Sequence, residues 1–181
     1  VQRFQNVQQE ISMHLIHSVG DSTKLKKQRI PTVSFGWNPL FLTIGEFRMR
    51  NINEFYEKSK QYGKPSGLLQ GFFNMKLAEK LSGNEAIDLG AGCGNDASFL
   101  INKGFNVTCI DKEIKSKENI ENRIENKDSL KIIVNKFEDV ELTKADLIYS
   151  CFSLQFCNPK RIDDLMHRIT KSIYKNGFFV R

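Results

Sequence analysis

Apolar positions recur at helical spacing at the start of the chain, at Phe4, Val7, Ile11, Leu15 and Val19, and Gly20 supplies a stop. A basic loop runs from there to Arg29. Two short apolar runs follow, around Ile30–Phe35 and Leu40–Ile44, cut by Pro31, Gly36, Pro39 and Gly45. From Asn51 the pattern changes. Asn53-Glu54-Phe55-Tyr56 begins a short helix. Pro65 and Ser66 open a stronger one through Leu68, Leu69, Phe72, Phe73, Met75, Leu77 and Leu81, which Gly83 closes.

Beyond Gly83, apolar runs and amphipathic stretches alternate. Strands are expected at Ala86–Leu89, Phe105–Ile110, Leu130–Val134, Ala145–Phe152 and Phe178–Val180. Helices are expected over Asp96–Lys103, Lys112–Glu125 and Arg161–Tyr174. Strand followed by crossover helix predicts an α/β fold, a doubly wound and mostly parallel sheet of five recognisable strands with an N-terminal helical extension.

Composition narrows the class without changing this picture. The 181 residues are 40 % hydrophobic and 27 % charged, ordinary for a globular chain that buries a core. No run reaches the roughly 18 uncharged apolar residues of a membrane helix, and no signal pattern opens the chain, so no membrane partner is expected. Net charge is +6, and residues 1–50 carry seven Lys and Arg against three acids. That excess reads either as a solvated lysine-rich segment or as an arm for nucleic acid or an acidic surface. Cys93, Cys109, Cys151 and Cys157 form no Cys-x-x-Cys pair, and His14, His17 and His167 lie far from them in sequence. A reduced, cytoplasmic protein with no metal site is expected.

The chemistry lies in Ala86-Ile-Asp-Leu-Gly-Ala-Gly-Cys-Gly-Asn-Asp96, where an apolar strand runs through Asp88, Gly90, Ala91, Gly92 and Gly94 into a helix. Glycines in such a turn allow positive φ and close approach of a ligand to the backbone. The helix start presents unpaired N–H groups, and Asn95 or Asp96 suits its N-cap. In a parallel sheet the turn lies at the carboxyl ends of the strands, where ligands bind. The third glycine comes one residue earlier than in Gly-x-Gly-x-x-Gly dinucleotide sites, which disfavours NAD. Asp111 ends the next strand, 17 residues past Gly94. Alone it reads as a helix cap. Beside the glycine turn it reads as an acid whose two oxygens take the two hydroxyls of a ribose.

Asp88-Leu-Gly-Ala-Gly-Cys-Gly94 with Asp111 resembles the cofactor site of class I S-adenosylmethionine-dependent methyltransferases. Gly94-Asn95-Asp96, Phe137-Glu138-Asp139 and Ser150-Cys-Phe-Ser-Leu-Gln-Phe-Cys-Asn-Pro159 narrow the resemblance to the small tellurite-resistance-type, TehB-like group, over about Asn51 to the end. The resemblance implies S-adenosyl-L-methionine as cofactor. Gly90, Ala91, Gly92, Gly94 and Asp96 would border it, with Asp88 orienting the loop or the amino group and Asp111 holding the ribose. Phe137 and Glu138 would border the adenine, although many relatives carry an acid where this chain has Lys136. Phe152 and Ser153 would face the transferable methyl.

The reaction implied is in-line displacement at a sulfonium methyl, driven by proximity and orientation, onto a small-molecule acceptor. No catalytic base is nominated. Tyr56 and Tyr62 qualify only by position in the segment that would cover the cofactor. The fourth-strand end lacks Asn/Asp-Pro-Pro-Tyr and Pro-Cys motifs, which disfavours amino-nitrogen methylation of adenine or glutamine and thiolate chemistry. Two other readings stand beside this one. One is an RNA or protein methyltransferase docking through the basic segment; the other is a non-catalytic S-adenosylmethionine or nucleotide-binding domain.

The resemblance also divides the chain into an extension, 1–48, and a core, 49–181. Seven strands are usual in this fold, and the pattern supplies five. Phe178-Phe179-Val180 would then form an apolar edge, a pairing hazard. We expect the chain to be a fragment, or a partner or neighbouring chain to cover that edge.

Overall fold

The computed structural model describes residues 32–33 and 52–181. The expected helix over residues 1–19, the basic loop after it and the run at Leu40–Ile44 lie outside the described residues.

The elements run β1 (Thr32–Val33), α1 (Ile52–Tyr62), α2 (Gly67–Asn74), β2 (Glu85–Leu89), α3 (Asn95–Asn102), β3 (Asn106–Asp111), α4 (Ile114–Arg123), β4 (Leu130–Val134), β5 (Ala145–Tyr149), α5 (Ile162–Ser172) and β6 (Ile173–Val180). The strands form one sheet in the order β1-β6-β5-β2-β3-β4, and every pair is parallel. The order reverses beside β2, so the turn after β2 lies at a topological switch point, the crevice where open sheets bind ligands.

Alternation along each strand sorts side chains to two faces. Ala86, Val107, Cys109, Leu147, Tyr149, Phe178 and Val180 pack under α2 and α3, together with Ile120 of α4. Ile87, Leu89, Ile110, Ile148 and Phe179 pack instead against Leu165 and Ile169 of α5 and the turn at Phe137–Val140. Phe72 of α2 meets Phe178 edge-on, with ring centroids 5.5 Å apart. Buried on both faces, the central strands need near-continuous apolar runs, and β5 is buried at all five positions.

Three expectations change. The helix opened by Ser66 ends at Asn74, well before Gly83, because the N–H groups of Met75 and Lys76 turn back onto the Gly71 and Phe73 carbonyls and Lys76 takes φ 57°. A separate 3₁₀ turn, Ala78–Lys80, then carries the apolar pattern onward. At the other end, α5 stops at Ser172 and β6 begins at Ile173. Ala145 pairs with Ile173 but Leu147 pairs with Phe178, so the chain between them bulges, with Asn176 at φ 70°. Finally, Phe178, Phe179 and Val180 are buried, and Thr32–Val33 runs beside Phe179 and Val180 on the edge expected to be open.

Candidate functional site

The turn from β2 into α3 is the centre of the site. Gly90, Gly92 and Gly94 all have positive φ, at 82°, 55° and 73°. The first two glycines are required for different reasons. A Cβ on Gly90 would overlap the Cβ of Ser153, which is buried and donates its hydroxyl to the Leu89 carbonyl. Ser150 pairs with that hydroxyl at 2.6 Å. A Cβ on Gly92 would meet nothing within 4 Å. Gly90 therefore admits the protein's own chain, whereas Gly92 borders open space, the cradle a ligand needs.

Polar contacts from distant elements hold this turn. The Gly90 N–H donates to the Ile110 carbonyl at 2.7 Å. Ser116 of α4 donates to the Gly92 carbonyl at 2.6 Å, and the Arg123 guanidinium donates to the Cys93 carbonyl at 2.9 Å. Gly94, rather than Asn95 or Asp96, is the N-cap of α3, and no side chain caps it. Asn95 is drawn away because its amide donates to the Ser59 carbonyl of α1 at 2.9 Å. Asp96 is committed to α2 and β5: one oxygen accepts the Ser66 N–H at 2.6 Å, the other the Tyr149 hydroxyl at 3.0 Å. Tyr149 also hydrogen-bonds the Ser66 hydroxyl, which caps α2 by accepting from Leu69 N–H at 3.1 Å.

Asp111 ends β3 beside this turn. Its two oxygens accept the Gly92 N–H at 2.9 Å and the Glu113 N–H at 3.0 Å, so it joins the loop to the start of α4. The helix-cap reading of this acid does not hold, because Glu113 is the N-cap of α4 and no side chain caps that helix; Asp111 instead accepts the N–H of the cap residue itself. Asp88 lies in β2 between Cys109 and Tyr149 and is buried, with Oδ2 lacking any hydrogen-bond partner. Burial raises its pKa well above the usual carboxylate range, and the charges of Asp96 and Asp111 add to that. Oδ2 is thus a buried polar atom that the described residues leave unsatisfied. The open face at Gly92 and the Asp111 carboxylate bonded to its N–H leave space and an acceptor that fit the ribose of S-adenosylmethionine.

The remaining expected residues rim the same end of the sheet. Phe137 and Glu138 are buried in a 3₁₀ turn after β4. The Glu138 carboxylate accepts the Asn158 N–H at 3.3 Å, linking this turn to the loop after β5. Two arginines fix the turn from behind: Arg161 and Arg168 donate to the Glu138 carbonyl at 2.9 and 2.6 Å. Phe152 and Ser153 were expected to face one space, but the backbone parts them. Phe152 has φ 54° and is 71 % exposed, whereas Ser153 turns under Gly90. Phe156, one turn on, is also exposed.

Helix α1 packs over the glycine turn. Cys93 donates its thiol proton to the Tyr56 carbonyl, with sulfur 3.2 Å away, and Lys115 of α4 pairs with Glu57 at 3.2 Å. Tyr56 is buried, whereas Tyr62 is exposed at the far end of the helix. The roles of Tyr149, Ser116 and Arg123, and the bond from the Ser66 N–H to Asp96, have no signature in the sequence, because each partner lies 24 or more residues away.

With this geometry established, comparison with known proteins adds the family. No curated protein sequence matches the chain significantly. Among solved structures, an S-adenosylmethionine-dependent methyltransferase from Clostridium acetobutylicum ATCC 824 superposes with a TM-score of 0.55 at 19 % identity, over 70 % of this chain and 55 % of its own. TehB from Haemophilus influenzae gives 0.50 at 20 %, over 58 % and 37 %. Coclaurine N-methyltransferase, bound to N-methylheliamine and SAH, gives 0.52 at 21 %, over 61 % and 33 %. The chain thus spans about half or less of the length of these relatives, which share its fold. The profile of the family described as tellurite resistance protein TehB matches residues 55–180, from within α1 to the end of β6, and the chain belongs to that family.

Proposed function

We propose that this chain is an S-adenosylmethionine-dependent methyltransferase acting on a small-molecule acceptor. The observation that carries the reading is the pairing of Asp111 with a glycine turn whose middle glycine borders open space. Family membership and the methyltransferase fold of its relatives support it. When bound, S-adenosylmethionine supplies a methyl group on a sulfonium, already activated for displacement. The residues of this chain bind and orient. Asp111 accepts from the ribose, the backbone at Gly90–Gly92 borders the methionine portion, Asp88 orients the loop from within β2, and Phe137 and Glu138 border the adenine. Asp96 acts from below, holding α2 and β5 against the turn. Catalysis of this kind draws on proximity and desolvation more than on acid–base chemistry.

The small-molecule acceptor draws support from the exposed Phe152 and Phe156 beside the glycine turn and from the ligand named for the coclaurine enzyme. Residues 49–181 form the catalytic core in this reading, and four unpaired thiols suit a cytoplasmic protein. Calorimetry with S-adenosylhomocysteine tests the proposal. Binding should occur, and Asp111→Ala should weaken it by about 1–3 kcal/mol, the scale of hydrogen bonds to a charged group. Equal affinity in that variant would remove Asp111 from the ribose role.

A further inference from the structure

Ser66, Tyr149 and Asp96 form a chain of hydroxyls that ends on a carboxylate. The Tyr149 hydroxyl donates to Asp96 Oδ2 at 3.0 Å and pairs with the Ser66 hydroxyl. Tyr149 has one proton and gives it to Asp96, so Ser66 is the donor in that pair. The Ser66 oxygen retains two lone pairs. Leu69 N–H takes one at 3.1 Å, and among the described residues no donor is bonded to the other. Asp96 Oδ1 accepts the Ser66 N–H at 2.6 Å, which fixes the two ends of the chain against each other. Each hydrogen bond already points the way a proton would travel, from Ser66 to Asp96.

Ser66 is half-buried in the loop between α1 and α2, whereas Tyr149 is fully buried at the end of β5, beside Asp88. Asp96 follows Gly94 by two residues, and Ser153, beneath Gly90, follows Tyr149 by four. The open position on Ser66 therefore lies at the carboxyl edge of the sheet, with the glycine turn. Burial raises the Asp96 carboxyl above its usual range, and donation by Ser66 and Tyr149 opposes that rise. Asp88 is pushed up further by burial and by the charges of Asp96 and Asp111, and burial also holds the Tyr149 phenol and the Cys151 thiol protonated. Of these four groups, Asp96 is the one that ionises first.

Resting on the proposed methyl transfer, we infer that Ser66 is a catalytic residue that takes a proton from an amine acceptor and passes it through Tyr149 to Asp96. The ammonium proton moves to Ser66 Oγ as the Ser66 proton moves to the Tyr149 oxygen and the Tyr149 proton to Asp96 Oδ2. The freed nitrogen lone pair forms the bond to the methyl carbon, and the sulfur–carbon bond breaks with its electrons on sulfur. Asp96 returns its proton by the reverse route once product leaves. Tyr149 and Asp96 act through Ser66 and are positioning residues. A carboxylate accepts a proton from an ammonium, whose pKa is near the lysine value of about 10.4, far more readily than from an alcohol.

The test is methyl transfer from S-adenosylmethionine to benzylamine, followed from about pH 7 to 8.5, below the amine's own pKa. With the relay, the protonated amine is the substrate and kcat/KM should be nearly level across this range. Ser66→Gly remains an adequate N-cap but has no hydroxyl, so only the neutral amine reacts and kcat/KM should rise about tenfold per pH unit. Ser66→Thr should restore the level profile. A level profile in Ser66→Gly or a rising one in Ser66→Thr overturns the inference. So does a parent profile that itself rises tenfold per unit, a result that needs no variant. Carbon-13 NMR of the aspartate carboxyls, assigned with Asp96→Asn, needs no acceptor: Asp96 should be ionised at about pH 8, and a neutral Asp96 there overturns the relay. If S-adenosylhomocysteine binds but benzylamine is not methylated, this inference fails and the cofactor reading stands. If S-adenosylhomocysteine does not bind, the cofactor reading fails and this inference with it.

Discussion

Gly90 and Gly92 lie two residues apart with similar backbone conformations, yet alanine should affect them in different ways. Both have positive φ, where an L-residue costs about 1–2 kcal/mol. At Gly92 that strain is the whole cost to the folded protein, because an added Cβ meets nothing within 4 Å. At Gly90 the new Cβ overlaps Ser153, whose Oγ would lie only 3.0 Å away and whose hydroxyl is committed to the Leu89 carbonyl. Overpacking of this kind adds roughly 1–3 kcal/mol, so Gly90→Ala should cost about 2–5 kcal/mol in total. Urea unfolding of the two variants beside the parent protein measures both costs, with unchanged slope as the check that the unfolded states compare. Ligand binding should rank them in the opposite sense. Gly92→Ala, the less destabilised of the two, should lose S-adenosylhomocysteine binding, because its methyl group occupies the cradle. Equal destabilisation by the two substitutions would refute the assignment of Gly90 to the Ser153 contact. A stable Gly92→Ala that binds like the parent would refute the cradle.

Two further outcomes follow from the buried polar groups. Asp88 has a raised folded-state pKa, so between its ordinary value of 3.8 and that raised value the folded state binds more protons than the unfolded state. Stability should therefore fall as pH rises through this window. Asp88→Asn should raise the urea midpoint at pH 7, with the gain shrinking as pH falls towards 4; a gain independent of pH would contradict the burial argument. Tyr149 donates to Asp96 and hydrogen-bonds Ser66, so Tyr149→Phe leaves both with a lost partner in a buried setting. A loss of about 1–3 kcal/mol is expected, and an unchanged thermal midpoint would show that the network contributes nothing.

Much of the site was legible in the chain because its signals are local. The apolar alternation at Ala86–Leu89 and the glycines after it encode a strand end and a turn needing positive φ, and Asp111 follows at the next strand end. The helix ends were less legible. Asn95 and Asp96 have the chemistry of N-caps, but tertiary partners on α1, α2 and β5 claim both side chains, and Gly94 takes the cap. The bulge at Tyr174–Gly177 escaped for a similar reason, since pairing between β5 and β6 extends the strand back to Ile173 against the helical pattern.

Sequence alone determined the order of strands and helices, the parallel class of the sheet and the place of the glycine turn, because periodicity and backbone conformation are properties of neighbouring residues. Only the tertiary structure decided how the lone pairs and open space of the site are shared. Tyr149 reaches Asp96, Ser153 slips beneath Gly90, and Thr32–Val33 pairs with Phe179 and Val180, each joining residues far apart in the chain. Such encounters depend on how packed layers bring surfaces together, and no local pattern records them. The result is that Asp88, read first as one of several acids near a ligand, is the one whose buried oxygen remains without a partner.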